Sequence, residues 1–171
     1  LQAYSAAVAG QSWMPPPQPY TFEDFVAWER KQLDGAAGVR SREFWKRELQ
    51  DAPLQLQLPI DHPRPKAATL NGAELGFTLD DQLPYQVLAL SAEQDVSLFA
   101  TLLAAFNIVL HHECRQGDLL VGTSLTGRQH DELRPLVGCF STVVAIRSRI
   151  GDDPTCADLL KRTAQRLAAA A

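Results

Sequence analysis

The chain has 171 residues, enough for one globular domain with a real core or for half of something larger. Lys and Arg total 16 against 20 Asp and Glu, a formal net charge of −4, which argues against a dedicated nucleic-acid binder. With 46% hydrophobic and 21% charged residues, the composition is that of a packed fold, not of a disordered or fibrous chain.

The longest apolar run, Leu98 to Leu110, is interrupted by Thr101 and Asn107 and is shorter than the ~18–20 residues that cross a bilayer, so no membrane span is expected. The three cysteines, Cys114, Cys139 and Cys156, are odd in number and form no CxxC pair. That usage implies free thiols in a reducing compartment, hence a cytoplasmic protein. The chain begins at Leu1 with no signal sequence, and its last residues, Lys161 to Ala171, run through helix formers without a stop. Both ends read as cut, which predicts a piece of a longer polypeptide.

Residues 1–20 hold small residues and then Pro15, Pro16, Pro17 and Pro19, and are expected to be a linker or surface strap. A helix is predicted from Phe22, with Phe25, Trp28 and Leu33 on its apolar side and Glu23 and Asp24 in its first turn. Gly35 and Gly38 are expected to interrupt it. A second helix then spans roughly 41–50, capped by Ser41, with Phe44, Trp45 and Leu49 inward. Four prolines in 52–68 impose an irregular crossing loop.

Alternation over Ala73 to Leu79 predicts a strand. Leu83 to Glu93 reads as a helix that tolerates Pro84 in its first turn, and Val96 to His112 as a helix buried on most faces. Leu119 to Thr123 and Phe140 to Ile150 are predicted strands, and Pro154 opens a last helix with Leu159, Leu160, Thr163 and Leu167 on one side. The order implies an α/β (α+β) layered sandwich, a mixed sheet covered by helices.

Gly122 to Gln129, GTSLTGRQ, has the glycine spacing of a phosphate-binding loop, but Arg128 and Gln129 stand where Lys and Ser or Thr are required, which argues against nucleotide binding; titration with ATP and magnesium tests it. Neighbouring helical side chains diverge by ~100°, so His111 and His112 cannot easily chelate one ion; their position suits the exposed carbonyls of a helix end. No metal site is expected, and His62 and His130 receive no role. Cys139 is expected to be a buried small residue, and Trp28 and Trp45 to be packing anchors. Arg128 and Arg147 lie at strand edges without an evident local acid, which predicts long-range partners.

Four ordered segments resemble the condensation domains of nonribosomal peptide synthetases. FEDFVAW, Phe22 to Trp28, is similar to the family's YxDFAVW, with Asp24, Phe25 and Trp28 matching. FWKRELQDAPLQLQLPIDHPRP resembles FWxxxLxxAPxxLxLPxDxPRP, and LFATLLAAFNIVLHHECRQGDLLVGTSLTGR resembles LFxxLLAAFxxLLxRxxGxxDxxVGxxxxGR. VGCFSTVVAIR resembles (I/V)GxFVNTxxxR through Val137, Gly138, Phe140 and Arg147, with Thr142 where the family usually has Asn.

The resemblance implies a V-shaped pair of lobes with the chloramphenicol-acetyltransferase-like, CoA-dependent acyltransferase fold. It implies a partial lobe here: a linker over 1–20, then an inter-lobe helix and the first part of the C-terminal lobe over 21–171. The implied reaction joins acyl or aminoacyl thioesters carried on the phosphopantetheine arms of carrier proteins, forming an amide or an ester. The family's catalytic HHxxxDG is absent, since His111-His112 belongs to HHECRQGD, so this chain holds no catalytic residue and is expected to be inactive alone. No cofactor is bound directly; the arms are substrates.

Implied partners are acyl and peptidyl carrier proteins, the missing N-terminal lobe and neighbouring synthetase domains, with neither nucleic acid nor membrane. In the family the Asp of the absent motif pairs with an Arg of the other lobe, and Arg128 is the candidate for that Arg. Asp24, Trp28 and Arg147 are further structural or inter-lobe candidates, and Thr123, Ser124, Gly138, Phe140 and Thr142 are tunnel-lining candidates. The alternative is a non-catalytic relative that docks carrier or tailoring proteins on the same fold.

Overall fold

The computed structural model describes residues 2–12, 14, 17–63, 65–67, 69, 71–128 and 130–170. The elements in chain order are α1 (Gln2–Val8), α2 (Phe22–Asp34), α3 (Ala36–Glu48), α4 (Leu83–Glu93), α5 (Leu98–Cys114), β1 (Asp118–Leu125), a single 3-10 turn (Asp131–Leu133), β2 (Thr142–Arg149) and α6 (Cys156–Ala170). They form two compact units. One comprises Leu1–Trp45 with Thr126–Thr142, the other Lys46–Leu125 with Val143–Ala171.

In the first unit, α1 is a helix where a linker is expected from the small residues. Helix α2 starts where Thr21 and Asp24 satisfy each other's backbone: the Asp24 N–H donates to the Thr21 hydroxyl at 3.2 Å, and the Asp24 carboxylate accepts the Thr21 N–H at 2.8 Å. Helix α3 begins at Ala36, directly after Gly35, and not near Ser41. Gly38 therefore does not break a helix; it lies inside one. A Cβ there would fall 1.8 Å from the Leu33 carbonyl oxygen, so the absent side chain is what lets α3 start against the end of α2. The Arg42 guanidinium donates to the same Leu33 carbonyl at 2.9 Å.

The core of this unit is aromatic. Phe25, Leu133, Leu136 and Phe140 are buried together, with Phe22 and Val26 packed on them. Trp28 is 43% exposed and contributes one flank only, so it is not the packing anchor its spacing predicts.

In the second unit, β1 and β2 form a two-stranded sheet. The Ile150 N–H donates to the Gly117 carbonyl at 2.7 Å, an antiparallel register that sets Leu119 across from Ser148 and Asp118 across from Arg149. Leu119 packs with Ala104 and Leu110 of α5 and Leu159 and Leu160 of α6, and each of these leucines contributes roughly 1.5–3 kcal/mol when fully buried. Asn107, fully buried on α5, donates to the Ser148 hydroxyl at 2.7 Å across this layer. Thr155 caps α6, accepting the Asp158 N–H at 3.2 Å.

Three expectations are corrected here. Residues 73–79 form no strand: no described backbone pairs with them, and Leu75 and Phe77 are 88% and 80% exposed. Helix α5 is buried along Ala100, Thr101, Leu103, Ala104, Asn107, Leu110 and Cys114, while Leu98, Phe99, Leu102, Phe106 and Val109 are exposed, because its neighbours cover one side of it. Cys139 is exposed and not buried; Cys156 is exposed and Cys114 buried, all three as free thiols.

No single helix among the described residues is long and apolar enough to cross a membrane; α4 and α5 meet that composition only as a pair bent by 107°. Arg115, at the end of α5, has φ 53° and ψ 31°, a left-handed conformation that disfavours any residue with a Cβ. Arg115→Gly is expected to stabilise the protein by about 1 kcal/mol, measured as a higher urea midpoint at unchanged slope.

Candidate functional site

The first unit brings Arg128, Gly138 and Phe140 together. Residues 126–142 leave β1, make the 3-10 turn and return into β2, so the Gly127 N–H bonds the Phe140 carbonyl at 3.0 Å as the loop closes. A Cβ on Gly127 would lie 2.2 Å from that oxygen. Glycine is required there for Arg128 to emerge beside Phe140.

The Arg128 guanidinium is fixed in three ways. Nη1 donates to the Leu133 carbonyl and to the Arg134 carbonyl (3.3 Å), and Nη2 donates to the Gly138 carbonyl at 3.4 Å. Its Cζ lies 4.0 Å from the centroid of the Phe140 ring. Among the described residues nothing accepts from its Nε–H, and no carboxylate forms an ion pair with it. Nε–H and the second Nη2 hydrogen remain, the donors a carboxylate accepts in bidentate fashion.

The ring beneath Arg128 is held by α2. Phe140 meets Phe25 at 4.6 Å between centroids and Phe22 edge-on at 5.2 Å. Gly138 admits this packing, since a Cβ there would come within 2.3 Å of the Phe22 ring. Asp24 touches neither Arg128 nor Phe140 in any described bond; it holds the first turn of α2 through Thr21, whose backbone N–H, then hydroxyl, keeps its carboxyl below the usual carboxylate range. Trp28 packs on Phe25 at 6.0 Å and edge-on against His130 at 5.5 Å. Tyr20, Asp24, Trp28, His130 and Glu132 line a cleft of about 360 Å³ over Phe25 and Leu133.

No described hydrogen bond or ring contact joins the other candidates to this group. Thr142 is exposed at the start of β2, Thr123 is half-buried and Ser124 exposed on β1. Arg147, in the second unit, is fully engaged: Nε and Nη2 donate to Asp118 at 2.9 Å and 2.6 Å, and Nη1 donates to the Glu48 and Gln50 carbonyls at 2.8 Å and 2.7 Å. Asp118 sits diagonally across the ladder from Arg147, so the long-range acid is its neighbour on one sheet face. The Arg147 hydrogen bonds, ahead of the cost of partial burial, hold the Asp118 carboxyl below its ordinary value of 3.8, and Asp118 in turn raises Arg147. His111 Nδ1 lies 2.7 Å from the Gln116 carbonyl just past α5, and His112 meets Glu113.

Several positioning residues have sequence signals that composition and spacing arguments pass over. Thr21 is three residues before Asp24, the capping-box interval. Asp118 opens a strand antiparallel to the one bearing Arg147. Gln116 bonds the early part of the crossing loop twice, accepting the Gln57 N–H at 2.8 Å and donating to the Gln55 carbonyl at 3.2 Å, contacts over 59 and 61 residues that no local pattern announces.

The family model for the condensation domain matches residues 1–171. The chain is 35% identical over 169 residues to malpinin synthetase of Mortierella alpina, covering 99% of this chain and 2% of that protein. It is 36% identical over 160 residues to the chondramide synthase of Chondromyces crocatus, covering 94% of this chain and 4% of the relative. Among solved structures it is similar to the SgcC5 protein of Streptomyces globisporus, with a TM-score of 0.77 and 27% identity over 96% of this chain and 37% of that one.

The chain belongs to the condensation-domain family, with homologues among nonribosomal peptide synthetases and the fold of the CoA-dependent acyltransferases. It spans only a few per cent of the length of these two curated relatives.

Gly138→Ala is expected to cost roughly 1–3 kcal/mol, because the Phe22 ring must leave its place on Phe140; a thermal melt checks it. Because the folded state lowers the Asp118 pKa, the ion pair's stabilisation is complete above about pH 4 and is lost as pH falls through the lowered value. Asp118→Asn should therefore flatten the acid limb of the stability–pH curve, measured by urea titrations between pH 2 and pH 6.

Proposed function

We propose that this chain forms the C-terminal-lobe wall of a condensation cleft, in which Arg128 pairs with the aspartate of an HHxxxDG motif carried by residues outside this sequence. The observation that carries the reading is the Arg128 guanidinium: one edge engaged by three backbone carbonyls, one face on an aromatic ring, and Nε–H without a described acceptor. The group is half-buried, and the fork it leaves is one that an external carboxylate accepts in bidentate fashion.

In this reading residues 1–20 lead into the domain proper at residue 21. The whole domain joins carrier-bound acyl or aminoacyl thioesters. The acceptor's amine nitrogen attacks the donor thioester carbon, the C–N bond forms, the C–S bond breaks, and the phosphopantetheine thiol leaves with a proton. The imidazole that positions or deprotonates the amine belongs to HHxxxDG, which these 171 residues do not contain, so the chain alone does not catalyse. Holding both arms in line supplies much of the rate, and no cofactor of the domain's own takes part. The partners are carrier proteins, the opposing lobe and neighbouring synthetase domains, in the cytoplasm.

The test is product formation by the intact synthetase module with loaded carrier proteins. Arg128→Ala is expected to lower it by roughly a hundredfold, the effect of misplacing the opposing motif by about an ångström. Turnover within twofold of the parent would remove Arg128 from this role.

A further inference from the structure

We propose that Phe140 is the positioning residue for Arg128: its ring is the platform that sets the plane of the guanidinium, so that the fork left open faces its carboxylate in a fixed orientation. The inference rests on the reading of Arg128 given above. An arginine side chain has four rotatable bonds, and hydrogen bonds along one edge still allow the group to swing about that edge. A ring 4.0 Å beneath Cζ blocks that motion on one side and attracts the cation through its face.

The platform itself cannot drift. Phe140 is 6% exposed and wedged against Phe22 and Phe25, and its carbonyl is pinned by the N–H of Gly127, the residue preceding Arg128. Gly138, whose carbonyl is one of the three that accept from the guanidinium, is also the residue whose missing side chain admits the Phe22 ring. Two segments more than a hundred residues apart, the start of α2 and the loop before β2, thus meet in one device that aims a single cation.

Two alternatives differ in their consequences. If Phe140 only fills volume, an aliphatic side chain of similar bulk replaces it and Arg128 is indifferent to the change. If Phe140 aims the guanidinium, removing the ring lowers turnover only while the guanidinium is present.

The experiment is a double-substitution cycle in the intact synthetase module, with Phe140→Leu, Phe140→Tyr and Arg128→Ala, read by turnover of carrier-bound substrates and by urea midpoint. Phe140→Leu is expected to lower kcat by roughly tenfold with KM for the loaded carriers unchanged, and Phe140→Tyr, which keeps the ring face, to restore most of it. In the Arg128→Ala background Phe140→Leu should add no further loss, in turnover or in the coupled part of the urea midpoint. Equal losses in both backgrounds, or parental turnover by Phe140→Leu beside a defective Arg128→Ala, would overturn the assignment. Parental turnover by Arg128→Ala would instead sink the reading of Arg128 on which it rests. Should Phe140→Leu fail to fold, Phe140→Met takes its place in the cycle.

Discussion

A guanidinium has five hydrogens and two faces, and a protein must find a use for all of them once solvent is restricted. Around Arg128 the described residues provide three carbonyls and a ring, and no acid. The aromatic core of the first unit can be understood as the support for that incomplete group. Thr21 and Asp24 start α2, α2 carries Phe22 and Phe25, these hold Phe140, and Phe140 holds Arg128. Glycines at 127 and 138 are the points where backbone and ring approach too closely for any side chain. Each link is ordinary packing or capping; the role proposed for Arg128 lies in the edge of that last group that is left over.

Arg147 shows what completion looks like in the same molecule. Its side chain is buried, its fork is met by Asp118, and its remaining amino group closes the backbone beyond α3 through Glu48 and Gln50. Both arginines stand at strand edges in the sequence, and the acids nearest to Arg128 there, Asp131 and Glu132, form no described ion pair with it. Antiparallel pairing delivers Asp118 to one, 29 residues away, and among the described residues delivers nothing acidic to the other. The contrast separates a cation whose fork is filled from one whose fork has no described acceptor.

Much of this architecture is legible from residues alone. The interval Leu83–Glu93 is the helix its pattern predicts, Pro84 included, and the two β-branched runs are strands with slightly different ends. What escaped does so for physical reasons. Residues 73–79 alternate like a strand, but a strand exists only with a neighbour to accept its hydrogen bonds, and alternation says nothing of the neighbour. Gly38 looks like a helix breaker until Leu33 is seen against it, because glycine serves close approach as readily as interruption. The apolar belt of α5 implies burial on most faces, whereas what covers a helix is set by the other elements present. The site was legible unevenly. Arg128, Gly138 and Phe140 are all marked by the family-like motifs, yet their mutual contact depends on a loop closure that spacing does not encode. Cys139, between Gly138 and Phe140, is exposed because its two neighbours take the packing positions against Phe22.

The most direct test of the account is a crystal structure of the intact condensation domain containing these residues. The account predicts the Arg128 fork in hydrogen-bond contact with the aspartate carboxylate of HHxxxDG, with the Phe140 ring still beneath the guanidinium. An Arg128 turned to solvent, or an HHxxxDG aspartate paired with a different cation, would contradict it.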